Sequence, residues 1–178
     1  MNLRLRTATL GDAEALRELI AKSARELGRE DYTAKQIEAA LKGAWGVDTE
    51  LIRDGTYFVV ERDGRLAACG GWSRRKTLFG SDTHAGREPG LLDPKTDAAR
   101  IRAFFVHPDF ARQGIGRMLL ARCEEEAKSH GFTRAELVAT LPGVRLYETC
   151  GYDEIERKEY PLEEGEMIEF VTMRKAKL

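Results

Sequence analysis

Two glycines, Gly114 and Gly116, lie where this sequence most clearly points to chemistry. A strand pattern ends at Val106, and a helix pattern begins directly after the glycines. A strand, a tight glycine loop and a helix in this order direct several backbone N–H groups at one spot, where the helix dipole adds roughly half a positive charge. Phosphate groups bind at such helix N-termini. We therefore expect residues 112–117 to bind a pyrophosphate-bearing cofactor.

Two common phosphate loops do not fit this segment. A Walker loop requires Gly-x-x-x-x-Gly-Lys-Ser/Thr, which the sequence lacks. A dinucleotide-binding loop requires Gly-x-Gly-x-x-Gly after the first strand of the fold. Here Leu119 stands at the third glycine position, and the loop comes late in the chain. A nicotinamide or flavin cofactor is therefore disfavoured.

A third type of loop fits better. Residues 112–117 read Arg-Gln-Gly-Ile-Gly-Arg, with Val106-His107-Pro108 before them and the segment 146–152, Leu-Tyr-Glu-Thr-Cys-Gly-Tyr, after them. This combination resembles the GNAT family of N-acetyltransferases, mainly over residues 101–152. The family pattern is Gln/Arg-x-x-Gly-x-Gly/Ala, and Ala111 departs from its first position. The alternative is that the two glycines only form a turn and allow close packing.

The resemblance implies that acetyl-CoA binds as co-substrate, without a metal, where two neighbouring parallel strands splay apart. These strands are residues 101–106 and 135–140, and a backbone N–H of the first would stabilise an oxyanion by about 3 kcal/mol. The cofactor-binding residues that the resemblance implies are Phe104, Phe105, Val106, Arg112, Gln113, Gly114, Ile115, Gly116, Arg117 and Thr140.

The resemblance also gives Tyr147 a catalytic role. It implies that an amine attacks the thioester directly, in a ternary complex, and that Tyr147 protonates the departing thiolate as general acid. The ordinary pKa of a tyrosine, about 10, lies just above that of a thiol, which suits this role. The alternative is that Tyr147 only packs on a short amphipathic helix.

The general base is not evident from the sequence. Many members of the family carry a glutamate on a strand near the acceptor, but the approach to strand 101–106 contains none. Asp97, Glu136, His84 and His107 are candidates. Each has a structural alternative, either a solvated surface group or a structural histidine. Water is a further candidate for the proton path.

We therefore expect an N-acetyltransferase that transfers the acetyl group to a primary amine. Two other functions stay open: a non-catalytic acyl-CoA-binding module on the same fold, and a phosphotransferase that would need Mg²⁺-binding carboxylates near the loop. The acceptor is a small-molecule amine or an amine of a protein or peptide. Residues 73–97, which read as a long loop with several glycines, prolines and charges, are expected to help select it. The resemblance also allows a homodimer.

Composition limits the number of domains, the partners and the location that we expect. The chain has 178 residues, a net charge of −1, 42% hydrophobic and 33% charged residues, which is ordinary for one globular domain spanning residues 1–178. The near-neutral charge disfavours nucleic acid and an anionic membrane as partners. Three cysteines without a Cys-x-x-Cys pair disfavour disulfides and zinc. No apolar run suits a signal peptide or a bilayer span, so we expect a cytoplasmic location.

Hydrophobic periodicity predicts the element order β-α-α-β-β-β-α-β-α-β-β. Residues 56–62 and 66–72 read as a hairpin around the turn signal Asp63-Gly64. Helices are predicted to end at Gly28, Gly131 and Gly151. Thr33 is predicted to cap the second helix, and the apolar stripe of that helix comprises Ile37, Ala40, Leu41, Ala44 and Trp45. Together with the resemblance, this order predicts a mixed α/β (α+β) fold, in which a central mixed sheet with splayed parallel strands is flanked by helices.

Overall fold

One seven-stranded sheet forms the centre of the protein. The structure, a computed structural model, describes residues 2–178. The strands are β1 (Leu3–Thr7), β2 (Tyr57–Arg62), β3 (Arg65–Ser73), β4 (Ala99–Val106), β5 (Ala135–Thr140), β6 (Asp153–Pro161) and β7 (Met167–Lys175). Their order across the sheet is β1-β2-β3-β4-β5-β7-β6. All neighbouring pairs are antiparallel except β4 and β5, which are parallel.

Helices cover both faces of this sheet. They are α1 (Ala13–Leu27), α2 (Ala34–Ala40), α3 (Thr49–Arg53), α4 (Ile115–Ser129) and α5 (Val144–Thr149). One apolar cluster joins the sheet to the buried face of α4, and a second joins it to α1 and α2. The predicted mixed fold is confirmed. Within residues 2–178, no helix is both long and apolar enough to cross a bilayer.

The turn and capping signals of the sequence are confirmed where they rest on local chemistry. Asp63 and Gly64 both have positive φ, 49° and 79°, which is the backbone of a two-residue hairpin turn. Gly131 and Gly151 follow α4 and α5 with φ of 90° and 89°. Thr33 caps α2, because its side chain accepts a hydrogen bond from the Gln36 N–H. These positions are decided by residues that are close in sequence.

Helix α1 ends at Gly28 as predicted, although this glycine has a φ of −91° and is right-handed. Two other predictions about the helices were wrong. The apolar stripe predicted to run from Ile37 to Trp45 is helical only to Ala40, and turns follow it. Helix α3 was missed because its five residues are too few to show a periodicity. It is held by Asp48, whose buried carboxylate accepts hydrogen bonds from the first N–H groups of the helix.

The predicted long loop between the hairpin and β4 is also confirmed. Residues 74–98 contain neither helix nor strand, apart from one bridge between Arg75 and Leu91. The segment is nevertheless tied to the body of the protein. Arg75 forms a two-bond ion pair with Asp54 at 2.7 and 2.8 Å. The loop therefore has a defined position over the region that follows α2.

A small ion cluster fixes β1 against the start of α1, and it makes stability depend on pH. The Arg6 guanidinium bonds both oxygens of Asp12 at 2.8 and 2.9 Å and also bonds Glu61. The hydrogen bonds from Arg6 lower the pKa of Asp12 to about 2. A lowered pKa stabilises the fold above the ordinary value, and this contribution is lost as the pH falls through the folded value.

We therefore expect Asp12→Asn to lower the free energy of unfolding by roughly 1–2 kcal/mol at pH 7. Denaturant titrations should show this difference shrinking as the pH falls from about 4 towards 2. Asp153→Asn is the control, because Asp153 is exposed and forms no ion pair within residues 2–178. A difference that does not vary with pH would contradict the assignment to the Asp12 carboxylate.

Candidate active site

The two parallel strands at the centre of the sheet separate soon after they begin. Strands β4 and β5 pair only at Ala99–Ala135 and Arg100–Glu136. Beyond this point β4 continues to pair with β3, and β5 continues to pair with β7. The facing edges of β4 and β5 are therefore not bonded to each other over most of their length. The splay that the resemblance implied for residues 101–106 and 135–140 is confirmed.

A bulge in β4 accompanies this separation. Arg102 pairs with Gly71 and Phe105 with Cys69, so two residues of β4 lie opposite the single residue Gly70. Within the bulge Ala103 has a φ of 56°. A Cβ atom on Gly70 would lie 2.5 Å from the Phe104 ring, a distance that real Cβ atoms do not reach. Because bulges bend the strand that carries them, Gly70 permits the course that β4 takes away from β5.

The gap opens into a cleft of about 790 Å³. Its walls come from the end of α1, from β4, from the start of α4 and from α5. The residues of the sequence motifs that line it are Phe104, Phe105, Val106, Arg112, Gly114, Ile115, Gly116, Arg117, Thr140 and Tyr147. Fold topology thus brings the glycine loop, the separated strands and the segment around Tyr147 into one cavity.

The start of α4 carries free backbone donors at one end of this cleft. Gly114 caps the helix with a φ of 82°, and Arg112 also has a positive φ, 63°. The first helical hydrogen bond runs from the Met118 N–H to the Gly114 carbonyl at 3.1 Å. The N–H groups of residues 115–117 therefore lie outside the helical ladder. Such a group of N–H donors, together with the helix dipole, attracts an anion.

Tyr147 is buried in the wall of the cleft. Its ring packs edge-on against Phe104 and Tyr152, at centroid distances of 6.3 and 5.8 Å, and the residue is 7% exposed. Its hydroxyl forms no hydrogen bond within residues 2–178. Burial raises the pKa of Tyr147 well above its usual value, so the hydroxyl keeps its proton throughout the neutral range.

Comparison with known proteins identifies the family. The model of the acetyltransferase (GNAT) family matches residues 13–152 of this chain. The chain belongs to the GNAT family. The match runs from the start of α1 to Tyr152 and includes the cleft described above.

Individual relatives support the fold. The chain is 35% identical over 74 residues to a [ribosomal protein bS18]-alanine N-acetyltransferase of Salmonella typhimurium, a match that covers 39% of this chain and 50% of the relative. The chain thus spans about half the length of the curated relatives it matches.

Among solved structures, a GCN5-related N-acetyltransferase of Rhodopseudomonas palustris is 19% identical, with a TM-score of 0.74 over 100% of this chain and 97% of that one. A PaiA N-acetyltransferase of Thermoplasma acidophilum in complex with coenzyme A is 15% identical, with a TM-score of 0.66 over 100% of both chains.

Gln113 is the one predicted cofactor-binding residue of this GNAT chain that does not line the cleft. Its side-chain oxygen accepts a hydrogen bond from Arg62, and its side-chain nitrogen donates to the Asp109 carbonyl at 3.1 Å. Gln113 therefore supports the loop on its outer side. Gly116 has a packing role as well, since a Cβ there would lie 3.1 Å from Leu146.

The four candidate bases lie away from the site. Glu136 is held by ion pairs to Arg100 and Arg174 at the closed end of the splay. Asp97 accepts a hydrogen bond from the Asp93 N–H, and His107 accepts one from the Asp109 N–H. His84 stacks on Phe79 in the loop. None of the four lines the cleft. Glu136 is not a solvated surface group, since only 12% of its side chain is exposed.

Several residues of the site were not identified from the sequence. Arg145 lines the cleft beside Arg112 and Arg117 and adds a third cationic side chain. Tyr32, from the segment after α1, donates a hydrogen bond to the Glu169 carbonyl at 2.7 Å and accepts one from the Leu141 N–H at 2.9 Å. Arg145 adjoins the Leu146–Tyr152 motif, which is a usable signal. Tyr32 is more than 100 residues away in sequence from its partners Glu169 and Leu141, and no local sequence pattern marks it.

The bulge generates a test of packing. Gly70→Ala should lower the free energy of unfolding by roughly 1–3 kcal/mol, because the added methyl group overlaps the Phe104 ring. Combining it with Phe104→Leu should cost less than the sum of the two single changes, because the smaller side chain makes room. Gly11→Ala is the control, since a Cβ there meets only Thr9 at an ordinary 3.6 Å. Additive costs in denaturant unfolding would rule out the proposed overlap.

Proposed function

We propose that this chain, acting as a single domain, is an acetyl-CoA-dependent N-acetyltransferase that acetylates a primary amine. The observation that carries the proposal is the convergence of three features on one cleft. These features are the N–H groups at the start of α4, the separated edges of β4 and β5, and the side chain of Tyr147. Membership of the family and the named activities of the relatives support it.

The chemistry of the cleft fits coenzyme A. The N–H groups of Ile115, Gly116 and Arg117 would bind the diphosphate, because they lack helical partners and lie at the positive end of the α4 dipole. The side chains of Arg112, Arg117 and Arg145 would neutralise further phosphate charge. The PaiA N-acetyltransferase of similar fold was solved in complex with coenzyme A, which supports this assignment.

The open edge of β4 suits the rest of the cofactor. Backbone groups of Phe104, Phe105 and Val106 face a gap that β5 does not fill. A pantetheine arm carries amide groups, and these would bond to the strand edge as a neighbouring strand does. One N–H of this stretch would then stabilise negative charge on the thioester oxygen, a contribution typically worth about 3 kcal/mol.

When bound, acetyl-CoA would supply the acetyl thioester: the amine nitrogen forms a bond to the acetyl carbon, and the carbon–sulfur bond breaks. Tyr147 would donate its proton to the departing sulfur. The hydroxyl keeps its proton at working pH. Because burial raises its pKa further above that of a thiol, proton transfer is less favourable than it would be from an exposed tyrosine. Thr140 lines the same cleft, and its side chain makes no capping bond, so its hydroxyl is available to the cofactor.

No side chain proposed earlier as general base lies in the cleft. The acidic residues that do line it are Glu30 and Asp31, and either these carboxylates or water would take the proton of the amine. A non-catalytic acyl-CoA-binding module is the alternative, and a turnover assay separates the two functions. The purified chain should release free thiol from acetyl-CoA in the presence of a panel of primary amines. Tight coenzyme A binding without thiol release from any amine would favour the binding module.

The first prediction from the proposed function concerns the α4 loop. Gly114→Leu should weaken coenzyme A binding by at least about tenfold in calorimetry, because a side chain would enter the open space at Gly114 and disturb the N–H groups. The change should also lower stability by about 1–2 kcal/mol, since Gly114 has a φ of 82°.

The hairpin offers a matched control for the backbone strain. Gly64 has a φ of 79° and open space at its Cβ position, and it lies outside the cleft. Gly64→Leu should lose similar stability and keep full coenzyme A affinity. Equal affinities in the two variants would remove the loop from the binding site.

The second prediction concerns Tyr147. Tyr147→Phe should lower kcat by about 10- to 1000-fold with little change in the Kd for coenzyme A, because only the proton donor is lost. Tyr152→Phe is the matched control, since Tyr152 packs against Tyr147 and does not line the cleft. Burial raises the pKa of Tyr147 above its ordinary value of about 10. Deprotonation of Tyr147 should therefore not lower the kcat of the wild-type enzyme at any pH below about 10. An unchanged kcat in Tyr147→Phe would exclude the role of general acid.

A further inference from the structure

A second, smaller cavity adjoins the cleft. Its volume is about 60 Å³, which is room for a carboxylate group or a few water molecules. Its walls come from residues 44–46, residues 78–80, β4, β5 and β7. Five residues line both cavities: Trp45, Phe104, Phe105, Thr140 and Tyr147. The small cavity therefore begins where the proposed chemistry takes place, on the side of the long loop.

Arg102 is the one charged residue, within residues 2–178, that lines the small cavity. Only 1% of its side chain is exposed. Its Nη2 atom forms an ion pair with Asp48 Oδ2 at 2.7 Å and donates a hydrogen bond to the Gly80 carbonyl at 2.8 Å. Its Nε and Nη1 atoms are buried and have no hydrogen-bond partner within residues 2–178. Three N–H donors of a buried cation thus remain unsatisfied, which is costly unless a ligand or water accepts them.

The surroundings of Arg102 favour an anion. Asp48, its only ion-pair partner in the described chain, is fully buried and shared with Arg87 at 3.3 Å. Arg87 is in turn paired with Glu50. The other residues that line the small cavity are apolar or uncharged. Burial lowers the pKa of Arg102 despite the neighbouring Asp48.

We propose that Arg102 binds a carboxylate of the acceptor, so that the substrate is a small primary amine carrying a carboxylate, such as an amino acid. The inference rests on the proposed function and names the substrate class of that site. The N–H groups without partners would donate to the carboxylate oxygens, and such charge-assisted bonds are strong in a buried site. The amine end of the acceptor would then extend towards Phe104 and Tyr147.

The long loop contributes to this recognition site. Leu78, Phe79 and Gly80 line the small cavity, and the Gly80 carbonyl holds the Arg102 guanidinium. Arg87, further along the loop, bonds to the carbonyls of Gly80 and Ser81. The segment thus encloses Arg102 and limits the length of an acceptor that fits. The amine of a protein N-terminus has no adjacent carboxylate and would leave Arg102 without an anion.

The first test needs no variant. Thiol release from acetyl-CoA is measured with glycine, β-alanine and γ-aminobutyrate, each against its amide, and with an amidated peptide that begins with alanine. In the pair with the best-fitting chain length, we expect kcat/KM to be at least about tenfold higher for the carboxylate. Equal rates for acids and amides, or a preference for the peptide, would overturn the inference and leave the N-acetyltransferase function standing.

A binding measurement covers the case in which no amine is turned over. The N-acetyl derivatives of the three amino acids, and their amides, are titrated by calorimetry into the chain saturated with coenzyme A. We expect a lower Kd for the carboxylates. Absence of turnover together with this preference would count against the proposed reaction and in favour of the Arg102 site. Absence of the preference would contradict the site.

Two matched variants separate recognition from structure. Arg102→Lys keeps a cation near Asp48 and removes the Nε and Nη1 donors, so it should reduce the acid-over-amide preference at least about tenfold with unchanged coenzyme A affinity. Arg100→Lys alters a second mostly buried arginine of β4, but Arg100 does not line the cavity, so the preference should persist. Loss of the preference in both variants alike would assign a structural role to Arg102.

Discussion

The separation of β4 from β5 is the constraint on which the rest of the site depends. Two parallel strands in the middle of a sheet normally bond along their whole length, and here they pair only at their first residues. The bulge at Ala103 and the close approach of Phe104 to Gly70 direct β4 away from β5. Pairing with β3 on one side and with β7 on the other keeps the two strands ordered. An opening through the centre of the sheet results, with backbone groups on its edges.

Different kinds of interaction hold the two sides of this opening. On one side, Leu119 and Cys123 of α4 pack into an apolar cluster, which fixes the helix whose N-terminus faces the cleft. On the other side, a group of buried charges around Asp48 joins α3, β4 and the long loop. Removing one member of such a group leaves an unpaired charge and costs several kcal/mol. Apolar packing therefore fixes the α4 side of the opening, and charge pairing fixes the side of the long loop.

Local chemistry explains the parts of this protein that the sequence predicts well. Asp63-Gly64, Gly131 and Gly151 adopt the left-handed backbone that their residue types favour, and Thr33 caps α2 through its own neighbours. The glycine loop and the Leu146–Tyr152 segment were identifiable because each motif is contiguous in the sequence. Residues of both motifs line the cleft. Errors occurred where no short-range pattern exists: the five-residue helix α3 and the early end of α2.

The sequence by itself determined the mixed α/β fold, the order of the strands along the chain, and the position of the α4 loop, because periodicity and turn residues act over a few neighbours. Tertiary structure alone decided which polar groups surround the cleft. Arg102 reads as an ordinary polar residue of a strand, and its burial against Asp48 depends on contacts 54 positions apart along the chain. Glu136 reads as a candidate base, and ion pairs with Arg100 and Arg174 hold it outside the cleft. Burial and charge pairing are properties of the packed chain, and residue type does not reveal them.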